Sequence, residues 1–494
     1  MGREVFKVVV VVGGGATGLG IAWDLVLRGF SVTVVEQEDI GHGTSSRFHG
    51  LLHSGGRYVV RDPVAAMDCI HENRVIKRIA PEAVEDTGGC FVQVDDEEED
   101  YRLAWEKGMR QAGIDYRPVS SSELRRLTRT KIPAAHAFWV PDAVLEGFLL
   151  LQMLRENIQA YGGVVLTHTR LRAVKTDGSG SIVGVTIQGS EGEKQLSCDA
   201  VINAAGPWAQ DVSQLFGDPI TMHLSYGLML IFAHRKFNVV INRLRSPGDG
   251  DIFVPHGRVT ILGTTDVLVD SPDAPAPEIS ETLRMWQRGY EMVPETESWR
   301  AMRAFTGVRP LYAKEATGSV LSRQVSRDFT IIDHGAGKGP GGAFSVVGGK
   351  WTTFRLMAER CVDAVLRYLA VDQACLTDRI TLVPKGQKVD VSDNDTIYCE
   401  CEGVRENQLR QVRGSVTEWR TRTWFSMGPC QGTFCGHRVM ALRQQQYPAE
   451  DFDVNMQQFR QERGKGMEAA AFGDNARQWA LQRAIRFQSL NESP

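Results

Sequence analysis

The chain has no apolar run long enough to cross a bilayer. Its longest apolar window, residues 8–23, reaches sixteen residues before Asp24 interrupts it, and six of those sixteen are glycine or threonine. A spanning helix needs about 20. The basic, then apolar, then small-residue order of a secretory signal is also missing. Charge of one sign is scarce: 56 Lys and Arg against 60 Asp and Glu leave a net −4 over 494 residues. No broad basic surface for nucleic acid is expected, and any membrane contact is expected to be peripheral. Disulfides are not expected either, because Cys69, Cys90, Cys198, Cys361 and Cys375 are scattered singly, as in a reducing cytosol. The remaining composition, 42% hydrophobic and 23% charged, is that of an ordinary globular protein. Its length predicts two or three domains of ~150 residues.

What is present is organised around residues 7–20, KVVVVVGGGATGLG. The valines of Val8–Val12 read as a buried parallel strand, and Gly13, Gly15 and Gly18 fit G-x-G-x-x-G ahead of a helix-period run. Gly13 permits a tight turn, Gly15 lets backbone approach a pyrophosphate, and Gly18 allows close helix–strand packing. The helix start adds free N–H groups and partial positive charge. A second strand, Ser31–Val35, ends in Glu36, placed to accept from a ribose hydroxyl. A bare glycine-rich turn in a core would leave that acid unexplained.

Residues 39–58, DIGHGTSSRFHGLLHSGGRY, have little period but carry two arginines and three histidines, more like a site than a tether. Helices are expected near 65–79, 101–112, 144–161, 280–292 and 352–368. The acidic run 95–100 is expected to be a solvated loop leading into a helix start. After the helix at 144–161, residues 162–177 suit a strand pair that completes a cofactor domain. AVINAAGPWA at 200–209 is a strand feeding a glycine turn. Residues 221–265 hold several short strands with turns between them, a mostly antiparallel sheet. SVVGGKWTTFRL repeats the strand, glycine pair and helix order, and 383–396 is the best linker in the chain.

These stretches together resemble the FAD-dependent glycerol-3-phosphate dehydrogenases: residues 13–58, then VINAAGPWA, ILGTTD, FTGVRPLY and VVGGKWTTFRLMAE, in the family's order. The C-terminal YCECEGV…RTRTWFSMGPCQGTFC resembles a bacterioferritin-associated-ferredoxin-like [2Fe–2S] domain, a pairing similar to the large subunit of the anaerobic, three-subunit type. The resemblance implies an α/β (α+β) fold of the D-amino-acid-oxidase kind. In it an FAD-binding Rossmann domain (about 1–80, 143–215 and 320–375) interleaves with an antiparallel substrate cap (about 81–142 and 216–319). A linker at 381–398, a small helical [2Fe–2S] domain at 399–445 and a helical tail at 446–494 would follow. FAD contacts are implied for Gly13, Gly15, Gly18, Glu36, Thr44, Ser45, Ser46, Val174, Ala205, Gly206, Gly349, Lys350, Trp351 and Thr352. Substrate contacts are implied for Arg57, Tyr58, Arg309 and Lys350. The implied partners are a flavoprotein subunit plus a membrane-associated Fe–S subunit on the inner face of the cell membrane, with quinone as terminal acceptor.

The chemistry agrees with that expectation. Glycerol 3-phosphate is a small dianion, and guanidinium groups grip phosphate with paired charge-assisted bonds. The expected reaction is hydride transfer from C2 to the flavin, giving dihydroxyacetone phosphate. A base must take the hydroxyl proton. Many single-chain relatives carry a histidine in a Gly-Ser-His stretch on a cap strand, but the matching Tyr226–Gly227–Leu228–Met229 has none. His49, His53 and Lys350 remain, with His53 preferred for its proximity to Arg57.

Cys399, Cys401, Cys430 and Cys435 follow C-x-C, 28 residues, then C-x₄-C. Soft thiolates suit an Fe–S cluster or zinc. Zinc sites more usually pair cysteines as C-x₂₋₄-C, so [2Fe–2S] is the leading expectation, with structural zinc and unmetallated thiols as alternatives. For the whole chain the alternatives are an FAD dehydrogenase of the same fold acting on an amino or 2-hydroxy acid, or a non-catalytic FAD/Fe–S electron-transfer subunit.

Overall fold

The computed structural model describes residues 7–94, 99–312, 328–383 and 395–487. Most of the expected linker and part of the acidic run lie outside them. The strand Val8–Val12 is central in a six-stranded sheet. Ser31–Val35 and Ala200–Asn203 flank it in parallel, and Val164–Leu166 and Ala343–Gly348 extend the parallel set. Phe329–Asp333 closes one edge antiparallel. Burial on both faces explains the unbroken β-branched run. Val9 and Val11 pack with the helices Ala16–Leu27, Gly147–Ala160 and Phe354–Tyr368, whereas Val10 and Val12 pack on a separate three-stranded sheet. That sheet is Arg170–Thr176, Ile182–Gly189 and Gly192–Ser197. Gly20 permits the helix contact, since a Cβ there would lie 2.9 Å from the Phe354 ring.

Two distant stretches build a nine-stranded second sheet. Gly89–Gln93, Arg117–Pro118 and His136–Val140 come from the first, and the strands between 223 and 311 from the second. They meet where Val240–Arg243 runs parallel to Gly89–Gln93, the one parallel pair in an otherwise antiparallel sheet. His223–Phe232 pairs antiparallel with Val259–Gly263, Val267–Val269 and Ala301–Leu311. The helix Ile279–Met292 lays Met285 and Met292 onto the apolar core of this sheet.

Beyond residue 395 the chain is mostly helical around a third core containing Cys399, Trp419, Phe425, Cys435 and Val439. The expected division at 445/446 falls inside this core, because Met456 and Phe459 of the helix Phe452–Gly464 complete it. The chain then returns to the cap: Gly466 O accepts from Ala304 N at 2.9 Å, and Ala469 and Ala470 join the cap core. The expected tail is therefore a packed element, its apolar residues too widely spaced to announce a core. On the other side, Glu418 pairs with Arg155 at 2.9 Å, and Trp424 lies against both Phe148 and His256. No helix among the described residues is long and apolar enough to cross a membrane.

Candidate functional site

A cleft of about 1450 Å³ runs between the parallel sheet and the cap. Small-ligand pockets usually measure about 300–1,000 Å³, so this one has room for a dinucleotide and a small second molecule.

At one end the glycine loop supplies backbone. Gly13 has φ +114°, and a Cβ there would collide with the Ala204 carbonyl. A Cβ on Gly18 would overlap the Gly13 carbonyl, so Gly18 supports the turn from behind and does not line the cleft. Gly15 precedes the helix Ala16–Leu27 without a side-chain cap, and Ser45 Oγ accepts from Ala16 N at 3.0 Å. Glu36 lines the cleft, and its carboxylate accepts from Gly14 N at 2.6 Å and Glu38 N at 2.8 Å. Burial raises its pKa despite those two N–H groups. Ala205 and Gly206 line the cleft from the end of Ala200–Asn203.

Three of the residues expected at the cofactor do not line the cleft. Val174 packs into the apolar cluster beside Leu171 and Val185, and Thr169, Arg170 and Leu171 line the cleft in its place. The strand Arg170–Thr176 therefore meets the cleft at its Arg170 end. Ser46 Oγ turns back to donate to Gly43 O at 3.3 Å. Thr352 is buried and accepts from His53 N at 3.1 Å, so it holds the opposite loop. Thr44 and Ser45 do line the cleft, tied by Thr44 Oγ1 to Val308 O (2.5 Å) and by Trp351 Nε1 to Ser45 O (2.9 Å). Gly349, Lys350 and Trp351 line it too, and the Trp351 ring stacks on Phe48 at 5.4 Å.

At the other end Arg57, Tyr58, His53, Lys350 and Arg309 all face the same cleft. Lys350 Nζ lies 4.7 Å above the Tyr58 ring, the Tyr58 and His53 rings are 5.4 Å apart, and His53 and His49 are 5.9 Å apart. The loop that carries them is held from behind. Asn73 Nδ2 donates to Leu52 O, buried Asp142 accepts from Ser54 N at 2.7 Å, and Trp105 Nε1 donates to Gly56 O at 2.7 Å. Lys350 also reaches the Cys69 thiol, whose pKa burial pushes up to about 11.

The two arginines differ. Arg57 Nη2 donates to Asp251 at 2.7 Å, while its Nη1 is buried without a hydrogen-bond partner among the described residues. Arg309 is engaged on both sides: Nη1 donates to Asp266 (3.1 Å) and Ser225 (3.3 Å), and Nη2 to Thr264 Oγ1 (2.5 Å) and Thr265 O (2.8 Å). A Cβ on Gly227 would collide with Arg309 Nη2, so the glycine makes room for the guanidinium. Met229, with no proton to exchange, lines the cleft from the same strand.

His49 and His53 are kept neutral. Desolvation, then Arg57, Arg309 and His256, take His49 down to about 3. Desolvation, then His49, Lys350 and Arg57, lower His53 well below the usual histidine range. His49 Nδ1 accepts from Leu51 N at 3.2 Å, which assigns the proton of neutral His49 to Nε2. Arg47 and Asp251 escaped the sequence reading. Arg47 lines the cleft from the histidine-rich loop, whereas Asp251 lies in an SPGDGD stretch that reads only as a turn.

The four late cysteines are free thiols and close neighbours. The Cys435 thiol lies within hydrogen-bond reach of both Cys399 and Cys430, which draws Cys399 down to about 7 and Cys430 to about 5 and raises Cys435 itself. Backbone N–H groups add to the effect: Ser426 and Glu402 at Cys399, Phe434 and Gly432 at Cys430. Cys401 lies beside Cys430, and burial raises it to about 11. Gln431 and Gly432, both at positive φ, fold the loop that presents these donors. Among the described residues no group of three or more His, Cys, Asp or Glu is arranged to hold a single metal ion.

The family of FAD dependent oxidoreductases matches residues 8–355. The chain is 34% identical to the A1-type subunit of the anaerobic glycerol-3-phosphate dehydrogenase of Haloferax volcanii, over 98% of this chain and 90% of that one. It is 33% identical to the A-type subunit of the Escherichia coli K12 enzyme, over 98% and 96%. Among solved structures, the glycerol-3-phosphate dehydrogenase of Bacillus halodurans complexed with FAD superposes with a TM-score of 0.62 at 17% identity, covering 99% of this chain and 97% of that one. Glycine oxidase from Geobacillus kaustophilus gives 0.59 at 17% identity, over 76% and 99%. At those identities the structural likeness shows the fold alone. The chain belongs to the FAD-dependent oxidoreductases and, within them, to the family of A-type subunits of anaerobic glycerol-3-phosphate dehydrogenase.

Proposed function

We propose that the protein oxidises sn-glycerol 3-phosphate to dihydroxyacetone phosphate with FAD as acceptor, and that a [2Fe–2S] centre in its C-terminal part relays the electrons. The observation that carries this reading is the convergence of Arg57, Lys350, Tyr58 and His53 at the far end of a cleft that begins at the glycine loop. The names of the relatives, each a glycerol-3-phosphate dehydrogenase subunit, support the substrate. On this reading the FAD part takes about 1–80, 143–215 and 320–375, and the cap about 81–142 and 216–319.

Gly13 and Gly15 with the start of the following helix hold the pyrophosphate, and Glu36 the ribose. Bound FAD supplies a two-electron acceptor for the hydrogen on substrate C2. The chain's own residues do the rest. Arg57 Nη1 and the Lys350 ammonium take the phosphate, and Arg309 contributes charge more than new donor directions, since its guanidinium is already bonded. His53 takes the C2 hydroxyl proton as the carbonyl forms. It is neutral, and neither ring nitrogen has a hydrogen bond among the described residues, whereas the Nε2–H of His49 can only donate. A dianion beside His53 raises its proton affinity, so the base strengthens when substrate arrives.

Cys399, Cys401, Cys430 and Cys435 fit a thiolate-ligated cluster. Four soft donors are neighbours, and backbone N–H groups point at the Cys399 and Cys430 sulfurs. A two-iron cluster does not require all four sulfurs to converge on one point. Such a relay supports onward transfer to a flavoprotein subunit, then to a membrane-associated Fe–S subunit, with quinone as the final acceptor and the complex at the inner face of the membrane. The function is tested by anaerobic addition of sn-glycerol 3-phosphate while flavin absorbance is followed. Bleaching supports it, and an unbleached, FAD-loaded protein rejects it. Iron and sulfide analysis of wild type and Cys430→Ser tests the relay: the variant is expected to lose the iron and keep its FAD.

A further inference from the structure

Asp251 precedes the strand Ile252–His256, where the turn at 246–250 re-enters the cap. Its side chain is wholly buried. One oxygen accepts from Arg57 Nη2 at 2.7 Å and from Gly248 N, and the other accepts from Arg245 Nε at 2.9 Å and Nη2 at 2.7 Å. Burial alone pushes its carboxyl up, but Arg57, Arg245 and the Gly248 N–H together hold it below the usual range, so it is a carboxylate.

We infer that Asp251 is a positioning residue that orients the Arg57 guanidinium so that Nη1 presents to a phosphate group in the cleft. This rests on the reading that the substrate carries a phosphate. A guanidinium is planar, so pinning Nη2 on Asp251 fixes the direction of Nη1. That nitrogen is buried with no hydrogen-bond partner among the described residues, a state that an arriving acceptor relieves. Arg61, bonded to Ser246 on the same turn, lines the same end of the cleft. Asp251 thus leaves Arg57 both cationic and aimed.

The alternative is that Asp251 only stabilises the turn, and binding of inorganic phosphate by the FAD-loaded protein, followed by its perturbation of the flavin spectrum, separates the two. The expected result is that Asp251→Asn binds phosphate roughly tenfold or more weakly, Asp251→Glu recovers most of the loss, and Arg245→Gln stays within about threefold of wild type, since it removes the turn contact and keeps the Arg57 pair. In turnover with sn-glycerol 3-phosphate, Asp251→Asn raises KM far more than it lowers kcat. Equal phosphate affinity in wild type and Asp251→Asn, the same loss in Arg245→Gln, or no phosphate binding by wild type overturns the inference. Because the phosphate titration needs no turnover, a failure of the proposed activity shows separately, as wild-type flavin that substrate does not bleach.

Discussion

The two ends of the cleft are built differently. At the glycine loop one contiguous stretch presents main-chain groups, and the side chains that matter are absent ones: a Cβ at Gly13 or Gly18 has nowhere to go. At the far end the working groups are side chains, brought from residues 49–58, 309 and 350 and held by partners at 73, 105, 142 and 251. Backbone recognition serves any pyrophosphate and tolerates almost no change at its few positions. Side-chain recognition can be tuned residue by residue, so the choice of substrate resides there. The difference predicts how each end fails: the first by losing the cofactor altogether, the second by losing rate or affinity while the cofactor stays.

The largest effect is expected from Gly18→Ala, which forces overlap with the Gly13 carbonyl. The purified variant should carry no FAD, measured by its visible spectrum, at a stability cost of roughly 1–3 kcal/mol or more. Retained FAD would break the comparison. His53→Gln should keep FAD and slow flavin reduction in a single turnover by about 10²–10⁴-fold, the usual worth of a general base. An unchanged rate removes His53 from the mechanism. Arg57→Gln should lower kcat/KM for sn-glycerol 3-phosphate by roughly 100-fold, through loss of a charge-assisted contact of about 2–3 kcal/mol. Arg309→Gln sharpens the contrast, because it removes the ion pair to the buried Asp266 side chain. It should cost stability of roughly 3 kcal/mol, read as a lower Tm, with a smaller change in substrate affinity than Arg57→Gln.

The effect that is smallest at neutral pH is a pH dependence of stability. His49 is depressed to about 3 when folded but titrates near 6.5 when unfolded. Below about 6.5 the unfolded chain therefore binds the extra proton and the folded one does not. Its contribution is complete above that pH and declines as the pH falls toward about 3. Tm measured across this range should fall less steeply in His49→Gln than in wild type.

The glycine loop was legible because its constraints are local: strand, turn, helix and acid follow one another within thirty residues. The cap sheet was legible as alternating strands with turns, although its one parallel join, between Gly89–Gln93 and Val240–Arg243, links segments 150 residues apart and leaves no local sign. Val174, implied by the family resemblance, packs among apolar side chains while Thr169, Arg170 and Leu171 reach the cleft, because tertiary packing sets which end of a strand borders a cleft. Arg309 was expected at the substrate from the family resemblance, while its bonds to Asp266, Ser225, Thr264 and Thr265 depend on strands that only the fold brings together. The packed C-terminal helices were missed because Met456 and Phe459 stand alone among Gln and Arg, which masks a core-facing stripe. Asp251 was silent for a related reason, since a carboxylate in a Gly-Asp-Gly-Asp turn looks solvated until two guanidinium groups enclose it.

The central claim is that substrate phosphate and flavin meet in this one cleft. Its most direct test is anaerobic stopped-flow mixing of the FAD-loaded protein with sn-glycerol 3-phosphate, with glycerol as the phosphate-free control. The account predicts complete flavin bleaching by the phosphate ester, little by glycerol, and loss of that preference in Arg57→Gln. Flavin that stays oxidised with millimolar sn-glycerol 3-phosphate, or bleaches equally with glycerol, would contradict it.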